Sequence, residues 1–328
     1  MDAPSPTPHD LIEHTNADHA RVVLVDWMLG NACSYACSYC PKALHDGSVA
    51  WQRVQDVTAF YDVLRAHYMD RRGKQVWLQF TGGEPTMHPQ IIRLLEAASD
   101  RGFTVSLISN ASRTVRFWAR IAPYLDNVIL TYHNEFADLD HFRSVGRLLA
   151  EQMAVHINVT MRPDHFDRTL DEARSLRDAM PGASITLKPL RVGFASQLFD
   201  YTPDQLDVMS RSLPQKAAQS GAMPRGTMTV QGRDGTRTTL RATELVVRGQ
   251  NRWRGYRCNA GLESLRVRGD GTITRAVCSV GGDIGRIGEP FALPYGPILC
   301  TAEVCSCTAD ILITKARTRA ADGLFPAA

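Results

Sequence analysis

Short β-rich runs alternate with longer amphipathic stretches through the first two thirds of the chain, and this alternation constrains the fold more than any other feature. The β-rich runs cover residues 22–28, 75–80, 104–109, 127–132, 155–161 and 184–188. The stretches at 54–70, 90–100, 115–124, 139–152 and 165–180 have helical apolar spacing, and a further helix follows Pro203, extending to about 219. Such repeats build a parallel sheet covered by helices, so we predict an α/β fold of six β-α units that forms an open, partial barrel.

Three cysteines follow the first β-rich run at spacings of four and three residues: Cys33, Cys37 and Cys40. Four-iron clusters are normally held by four thiolates, so a three-cysteine loop predicts a cluster with one iron free to bind another ligand. Half of a zinc site is an alternative, but a structural zinc needs a fourth ligand, and only His45 is near in sequence. Inert thiols are a further alternative. Disulfides are disfavoured because the chain shows no secretory leader.

A second motif, Thr81-Gly82-Gly83-Glu84-Pro85, follows the second β-rich run. By itself it predicts only a tight turn. The cysteine spacing, with the aromatic Tyr39 before the last cysteine, and this second motif about forty residues later together resemble the signature of radical S-adenosylmethionine (SAM) enzymes. The resemblance implies a partial (β/α)6 TIM barrel, a 4Fe-4S cluster on the three cysteines and SAM bound at the open iron.

Parallel α/β folds carry their chemistry at the carboxyl ends of the strands. The resemblance implies that Gly82, Gly83 and Glu84, next to Pro85, hold the SAM amino group, and we expect the glycines to let the backbone approach the ligand. Tyr39 is expected near the adenine, with core packing as the alternative. Ser109 and Asn110 are candidates for contact with the SAM ribose or carboxylate, with a simple turn as the alternative. Candidates for substrate binding or proton transfer are Tyr132, His133 and Glu135. Lys188 and Arg191 are candidates for binding a carboxylate of SAM or substrate.

The remainder of the chain is rich in β-forming residues and in arginine, and it carries five more cysteines. Segments 227–230 with 237–240 and 265–268 with 272–274 predict two β-hairpins. Cys258-Asn-Ala-Gly261, the turn at Asp270-Gly271 and the later Cys278 resemble the start of a SPASM/twitch extension, which implies a second, auxiliary 4Fe-4S cluster. The gap before Cys278 is longer than usual and the cysteines are too few for two auxiliary clusters, so a twitch-like module with one cluster is expected.

The expected auxiliary ligands are Cys258, Cys278, Cys300 and one of Cys305 and Cys307. The other cysteine of the last pair is then spare. It is either a small buried apolar residue or a catalytic thiol that donates a hydrogen atom to a substrate radical. The sequence leaves both readings open.

We expect three regions: a flexible N-terminus at 1–20, the barrel at 21–220 and an auxiliary-cluster domain at 221–328. The apolar runs are short and interrupted by charge, which argues against a membrane span. No targeting segment is recognised, which favours the cytoplasm.

The chain has a net charge of +3, and the positive charge is concentrated in one segment. Residues 225–286 contain twelve Arg, no Lys and five acidic residues, which predicts an anionic small molecule or acidic peptide as the binding partner. A solvated hairpin face is the alternative. Nucleic acid is disfavoured because the only interleaved aromatic residues are Trp253 and Tyr256.

The sequence thus predicts a radical SAM enzyme that abstracts hydrogen from a small natural-product or sugar-like substrate. Oxidation or dehydrogenation, assisted by the auxiliary cluster, and epimerisation are both open outcomes. A ribosomal peptide is the alternative substrate. A non-catalytic iron–sulfur electron carrier is the alternative of another class, but it does not account for the second motif. The resemblance implies a flavodoxin- or ferredoxin-type electron donor.

Overall fold

A computed structural model describes residues 9–194, 197–213 and 227–317. The strands are β1 (His9–His14), β2 (Val22–Met28), β3 (Gln75–Thr81), β4 (Thr104–Ser109), β5 (Asn127–Tyr132), β6 (Ala154–Met161), β7 (Ser184–Pro189), β8 (Thr227–Gly232), β9 (Arg237–Arg241), β10 (Tyr256–Cys258), β11 (Ser264–Val267), β12 (Thr272–Thr274), β13 (Asp283–Arg286), β14 (Ile298–Leu299) and β15 (Lys315–Arg317). The helices are α1 (Val54–Leu64), α2 (Ile91–Ser99), α3 (Val115–Ile121), α4 (Leu139–Ala150), α5 (Phe166–Ala179), α6 (Pro203–Arg211), α7 (Ala242–Val247) and α8 (Thr308–Ile311).

The predicted parallel sheet is confirmed. Strands β2 to β7 pair in parallel and in chain order, each with the next. Helices α1 to α5 lie in the connections between these strands, and a π-helical turn at Arg65–Asp70 extends α1. The helix after Pro203 ends at Arg211, and its predicted continuation to about 219 lies largely outside the described residues.

Alternate residues of each parallel strand pack against the helices. On β2, Val23, Val25 and Trp27 belong to the main apolar core, where the Trp27 ring lies edge-on to Phe60 and Tyr61 of α1. Because successive strand side chains point to opposite faces, the intervening residues face the barrel interior. This interior face is polar: Trp77 Nε1 donates to Ser106 Oγ at 2.7 Å, and His156 Nδ1 lies 2.7 Å from Ser184 Oγ.

The second predicted hairpin extends the sheet of parallel strands. Strand β11 pairs in parallel with β2, and β12 and β13 continue the sheet in antiparallel fashion, giving nine strands in all. Local sequence signals the hairpin, but it cannot signal that β11 will pair with a strand about 240 residues earlier. Whether the chain divides into domains near residue 220 remains a prediction, and that boundary lies outside the described residues.

The remaining strands form a six-stranded sheet in the order β14-β10-β15-β1-β8-β9. Strand β1 pairs on both sides, with β15 and with β8, and Ile12 is fully buried. The prediction of a flexible N-terminus is therefore wrong for His9–His14, while residues 1–8 lie outside the described part. The two partner strands come from the far end of the sequence, so no local periodicity reports the pairing.

Candidate iron–sulfur active site

The two motifs recognised in the sequence lie side by side at the carboxyl ends of β2 and β3. The Gly83 main-chain N–H donates to the Gly30 carbonyl at 3.1 Å, and the Glu84 N–H donates to the Ala32 carbonyl at 2.7 Å. A Cβ on Gly82 would lie 2.3 Å from the Gly30 oxygen, and one on Gly83 would lie 2.2 Å from the Ala32 oxygen. In this structure both positions thus require glycine because the main chain there contacts the start of the cysteine loop. The sequence had suggested another reason, namely that glycine lets the backbone approach a ligand closely.

The Glu84 carboxylate fixes the second motif to the end of β4. It is 1% exposed and accepts from Thr86 N–H at 3.0 Å and Thr86 Oγ1 at 2.6 Å, from Ser109 Oγ at 2.8 Å and from Asn110 N–H at 2.8 Å. Burial raises the pKa of Glu84, and these hydrogen bonds oppose the shift. Its side chain is therefore committed to holding the loop. The main chain of Gly82 to Glu84 is left as the part that could meet a ligand.

Ser109 and Asn110 contact the two motifs. Besides Glu84, Asn110 reaches the cysteine loop, with its Nδ2 3.0 Å from Ser34 Oγ and 3.7 Å from Cys33 Sγ. Both side chains are buried. The structure thus gives them an organising role, and their predicted contact with SAM stays a prediction.

The three thiols of the loop lie close enough to interact electrostatically. Burial raises the pKa of Cys37 and of Cys40 to about 11, and the neighbouring cysteines add to both shifts. Burial likewise raises the pKa of Cys33. Such thiols stay protonated unless a cation replaces the proton, as iron does when it binds thiolate.

This donor set fits an iron–sulfur cluster. In the part of the chain that the structure describes, no three His, Cys, Asp or Glu side chains are arranged around a single metal ion. In a cluster each thiolate binds a different iron, so the sulfurs need not converge on one point. Cys33, Cys37 and Cys40 can therefore hold three irons and leave the fourth without a protein ligand.

The Tyr39 side chain connects the cysteine loop to β5 and β6. Its hydroxyl lies 2.5 Å from His133 Nδ1 and 3.1 Å from Thr160 Oγ1, and its ring stacks on the imidazole. Burial lowers the pKa of His133 to about 4, and the Lys188 charge contributes, so the imidazole is neutral at physiological pH. His133 therefore acts here as a support for Tyr39. The predicted contact of Tyr39 with adenine remains a prediction.

Glu135 anchors the same loop from the other side. Its carboxylate accepts from Ser38 N–H at 2.8 Å and from the Ser38 hydroxyl, and it pairs with Arg162, which also binds Asp164. Partial burial works to raise the pKa of Glu135, but the Ser38 hydrogen bonds and the Arg162 charge outweigh it and lower the pKa. Arg162 was missed in the sequence, although its position just after β6 obeys the same strand-end rule as the other candidates.

Tyr132 faces away from the site, contrary to the prediction. Its ring packs edge-on against Phe142 of α4 in the core between sheet and helices. Successive strand residues point to opposite faces of a sheet, so the polar hydroxyl of Tyr132 does not show which face its side chain occupies. Val128 and Leu130 share the face of β5 on which Tyr132 lies, and both are buried in this core. Tyr132 cannot reach a substrate inside the barrel from there.

Lys188 lies near the end of β7 on the barrel-interior face, opposite to the buried Ile185 and Leu187, and Arg191 follows the strand by two residues. Lys188 is exposed, lies beside Thr160 in the strand register, and has no hydrogen-bond or ion-pair partner among the described residues. Burial lowers the pKa of Arg191, and the nearby Cys307 and Cys305 oppose the shift. One free ammonium therefore lies next to the loop of the first cluster, and one guanidinium lies towards the C-terminal cysteines.

The C-terminal cysteines converge, as the predicted ligand set requires. Cys258, Cys278, Cys300 and Cys305 line one cavity, together with the buried Asp310 and Lys315. Burial raises the pKa of Cys258 to about 11 and that of Cys278 to about 12, so these thiols also need a cation to become thiolates. Four cysteines around a closed space fit a four-iron cluster with every iron held by protein.

Cys307 is not among the residues that line this cavity. It caps α8, and the charges that act on it are Asp310 and, on the barrel side, Asp26 of β2, which pairs with Arg266 at 2.6 Å. Burial is the main cause that raises the pKa of Cys307 to about 12. The geometry therefore favours Cys305 as the fourth ligand and Cys307 as the spare thiol.

The arginine-rich segment is largely neutralised within the fold. Seven of its eleven described arginines form ion pairs: Arg237, Arg241, Arg248, Arg254, Arg266, Arg268 and Arg286. Four of the acidic partners lie outside the segment in sequence: Glu13, Asp26, Glu289 and Glu303. The charge surplus counted from sequence is therefore weak support for an anionic partner, and the solvated or paired alternative accounts for most of it.

Comparisons with known proteins bear on the fold and the family. One curated relative is the PqqA peptide cyclase of Ruegeria pomeroyi, 29% identical over 144 residues, which cover 41% of this chain and 35% of the cyclase. Similar solved structures include Streptococcus suis SuiB bound to precursor peptide SuiA, at 12% identity and a TM-score of 0.50 over 83% of this chain and 62% of that chain. Native anSMEcpe with bound AdoMet gives 15% identity and a TM-score of 0.51 over 82% and 79%. These identities support the fold alone, and the chain spans about a third of the cyclase.

A cysteine trio joined to a Gly-Gly-Glu-Pro loop at the carboxyl ends of parallel strands is the arrangement typical of iron–sulfur proteins that bind SAM. Residues 27–189 match the family model described as Radical SAM superfamily, and the chain belongs to that superfamily. Among the described residues, no helix combines the length and apolar character needed to cross a membrane.

Proposed function

We propose that this enzyme abstracts a hydrogen atom from a carboxylate-bearing substrate held inside the barrel, and that an auxiliary 4Fe-4S cluster on the C-terminal cysteines assists the reaction. The observation that carries the proposal is the division of the cysteines into two separate sets, three on one loop and four around one cavity. When bound, the first cluster supplies the electron that cleaves SAM to the adenosyl radical. The chain's own residues position the reactants.

The residues around the first cluster would act by orientation. Glu84 fixes the Gly82–Glu84 main chain, Glu135 and Tyr39 fix the cysteine loop, and neutral His133 supports Tyr39. Such a rigid surround lets SAM bind in one geometry, so that the bond to be cleaved is aligned with the cluster. No proton transfer is assigned to His133 or Glu135, since both are committed to these contacts.

Lys188 supports a substrate with a carboxylate. It is a cation without a partner in the described part of the chain, on the barrel-interior side and beside the residues that hold Tyr39. A small metabolite is the first candidate. A peptide is the second, favoured by the similarity to the PqqA peptide cyclase. A flavodoxin- or ferredoxin-type protein is the proposed electron donor, from family membership.

The outcome after hydrogen abstraction is oxidation if the substrate radical gives up an electron, and epimerisation if it regains a hydrogen atom. The placement of Cys307 outside the cysteine cavity supports keeping the second outcome, because its thiol lies towards Asp26 and Arg191. In that case the S–H hydrogen would move to substrate carbon and leave a sulfur radical, which requires one electron and one proton to be reset by the reductant.

The test counts iron and acid-labile sulfide per chain after anaerobic reconstitution, and measures 5'-deoxyadenosine formed from SAM with dithionite. About eight irons are expected in the parent and about four in a variant with Ala at Cys33, Cys37 and Cys40, with 5'-deoxyadenosine only from the parent. About four irons in the parent and none in the variant would refute the auxiliary cluster. Two clusters without 5'-deoxyadenosine would instead support a non-catalytic electron carrier.

A further inference from the structure

Lys315 is a fully buried cation in the wall of the cysteine cavity. It is 1% exposed, and its Nζ donates to the main-chain carbonyls of Asp310 at 2.5 Å, Ile313 at 2.9 Å and Ile311 at 3.2 Å. No carboxylate lies within ion-pair distance of it among the described residues. A buried ammonium is strongly unfavourable unless a negative charge offsets it, and carbonyl dipoles offset it only in part.

The strand register brings this ammonium next to the cysteines. Lys315 on β15 lies directly opposite Cys258 on β10. Directly opposed residues of an antiparallel pair share one face of the sheet, with Cβ atoms about 5 Å apart. Cys305 and Cys300 line the same cavity. Four thiolates around an iron cluster would therefore supply negative charge to Lys315 on this face of the sheet, in addition to the Asp310 carboxyl group.

Asp310 contributes a carboxyl group to the wall of the same cavity. Its carboxylate accepts from the main-chain N–H of Cys278 at 2.7 Å and of Val277 at 3.1 Å, and it is 2% exposed. The carboxylate thus lies against the Cys278 ligand, and the ammonium lies against Cys258.

We infer that Lys315 and Asp310 set the reduction potential of the auxiliary cluster, Lys315 raising it and Asp310 lowering it. The inference rests on the proposed auxiliary cluster. Reduction adds one electron to a cluster that is already anionic with four thiolates, so a nearby positive charge favours the reduced form and a nearby negative charge disfavours it. Both side chains are buried, and salt therefore screens them little.

The experiment is a potentiometric titration followed by EPR, on the full chain carrying Ala at Cys33, Cys37 and Cys40 so that only the auxiliary cluster contributes. Lys315→Met is expected to lower the equilibrium constant for reduction at least tenfold, a midpoint shift of about 59 mV to more negative values. Asp310→Asn, which keeps one acceptor oxygen, is expected to shift the midpoint in the opposite direction.

Lys74→Met is the matched control, because Lys74 also donates to two main-chain carbonyls, those of Ala20 at 3.2 Å and Leu262 at 2.8 Å, but does not line the cavity. If Lys315→Met fails to retain iron, Lys315→Gln removes the charge while keeping an N–H donor. Shifts of the same sign for the two cavity residues, or shifts no larger than that of Lys74→Met, would overturn the inference. Absence of iron before any cavity substitution would overturn the proposed function itself, and this inference with it.

Discussion

Replacement of Glu84 by Gln tests whether this carboxylate ties the two sequence motifs together. One carboxylate oxygen, Oε1, receives three donors, from the Thr86 N–H, the Thr86 hydroxyl and the Ser109 hydroxyl, and Oε2 receives the Asn110 N–H. A Gln amide can keep its oxygen at the first position only by turning its NH₂ group towards the Asn110 N–H. Two donors then face each other in a buried space.

The magnitude follows from the two losses. A hydrogen bond to a charged group contributes about 1.5–3 kcal/mol, and a buried unsatisfied donor costs about 1–3 kcal/mol. We therefore expect Glu84→Gln to destabilise the folded chain by about 2.5–6 kcal/mol, a large fraction of the roughly 5–15 kcal/mol typical of a folded domain. Because the same carboxylate positions the Gly82–Glu84 main chain, which we propose to contact SAM, SAM affinity is expected to fall as well.

The assay is urea unfolding of the anaerobically reconstituted chain, with SAM binding measured by equilibrium dialysis. Glu151→Gln is the matched control, since Glu151 is exposed at the end of α4 and a surface change is expected to stay within about 0.5 kcal/mol. A double-mutant cycle with Ser109→Ala should give a coupling energy of about 0.5–3 kcal/mol. A destabilisation below about 1 kcal/mol with no coupling to Ser109 would refute the hydrogen-bond arrangement on which this reasoning depends.

Three further predictions address the two cysteine sites. Gly83→Ala places a Cβ 2.2 Å from the Ala32 oxygen and should remove about four irons per chain, whereas Gly296→Ala, with open space around it, should keep the full iron content. Folding lowers the pKa of Glu135. The contribution of Glu135 to stability is therefore present above the ordinary glutamate pKa of about 4.3 and is lost as the pH falls through the lower folded value. The unfolding midpoints of the parent and of Glu135→Gln should differ at pH 7 and converge below about pH 4, and a constant difference would contradict the ion pair. Cys305→Ala should lose the auxiliary iron and Cys307→Ala should keep it, as counted by iron and sulfide analysis, and the reverse result would exchange their roles.

The barrel fold and both motifs could be predicted from the sequence because they depend on local patterns. Strand and helix periodicities placed β2 to β7 within one residue of their observed bounds. Cysteine spacing and the paired glycines marked the loops at the ends of β2 and β3. In a parallel sheet the order of strands along the chain then carries those loops to one rim, which is why family, fold and first cluster site could be predicted together.

What only the tertiary structure decided depends on residues far apart in sequence. The pairing of β1 with β8 and β15, and of β11 with β2, joins segments more than 200 residues apart. The same is true of two of the arginine ion pairs, Arg237 with Glu13 and Arg266 with Asp26. The sequence also did not predict the face of β5 on which the Tyr132 side chain lies. Tyr132 faces the helices, and a position at a strand end does not by itself show which face is inside. Lys315 became notable only when the register set it opposite Cys258, since a buried charge is defined by what surrounds it and not by its neighbours in the chain.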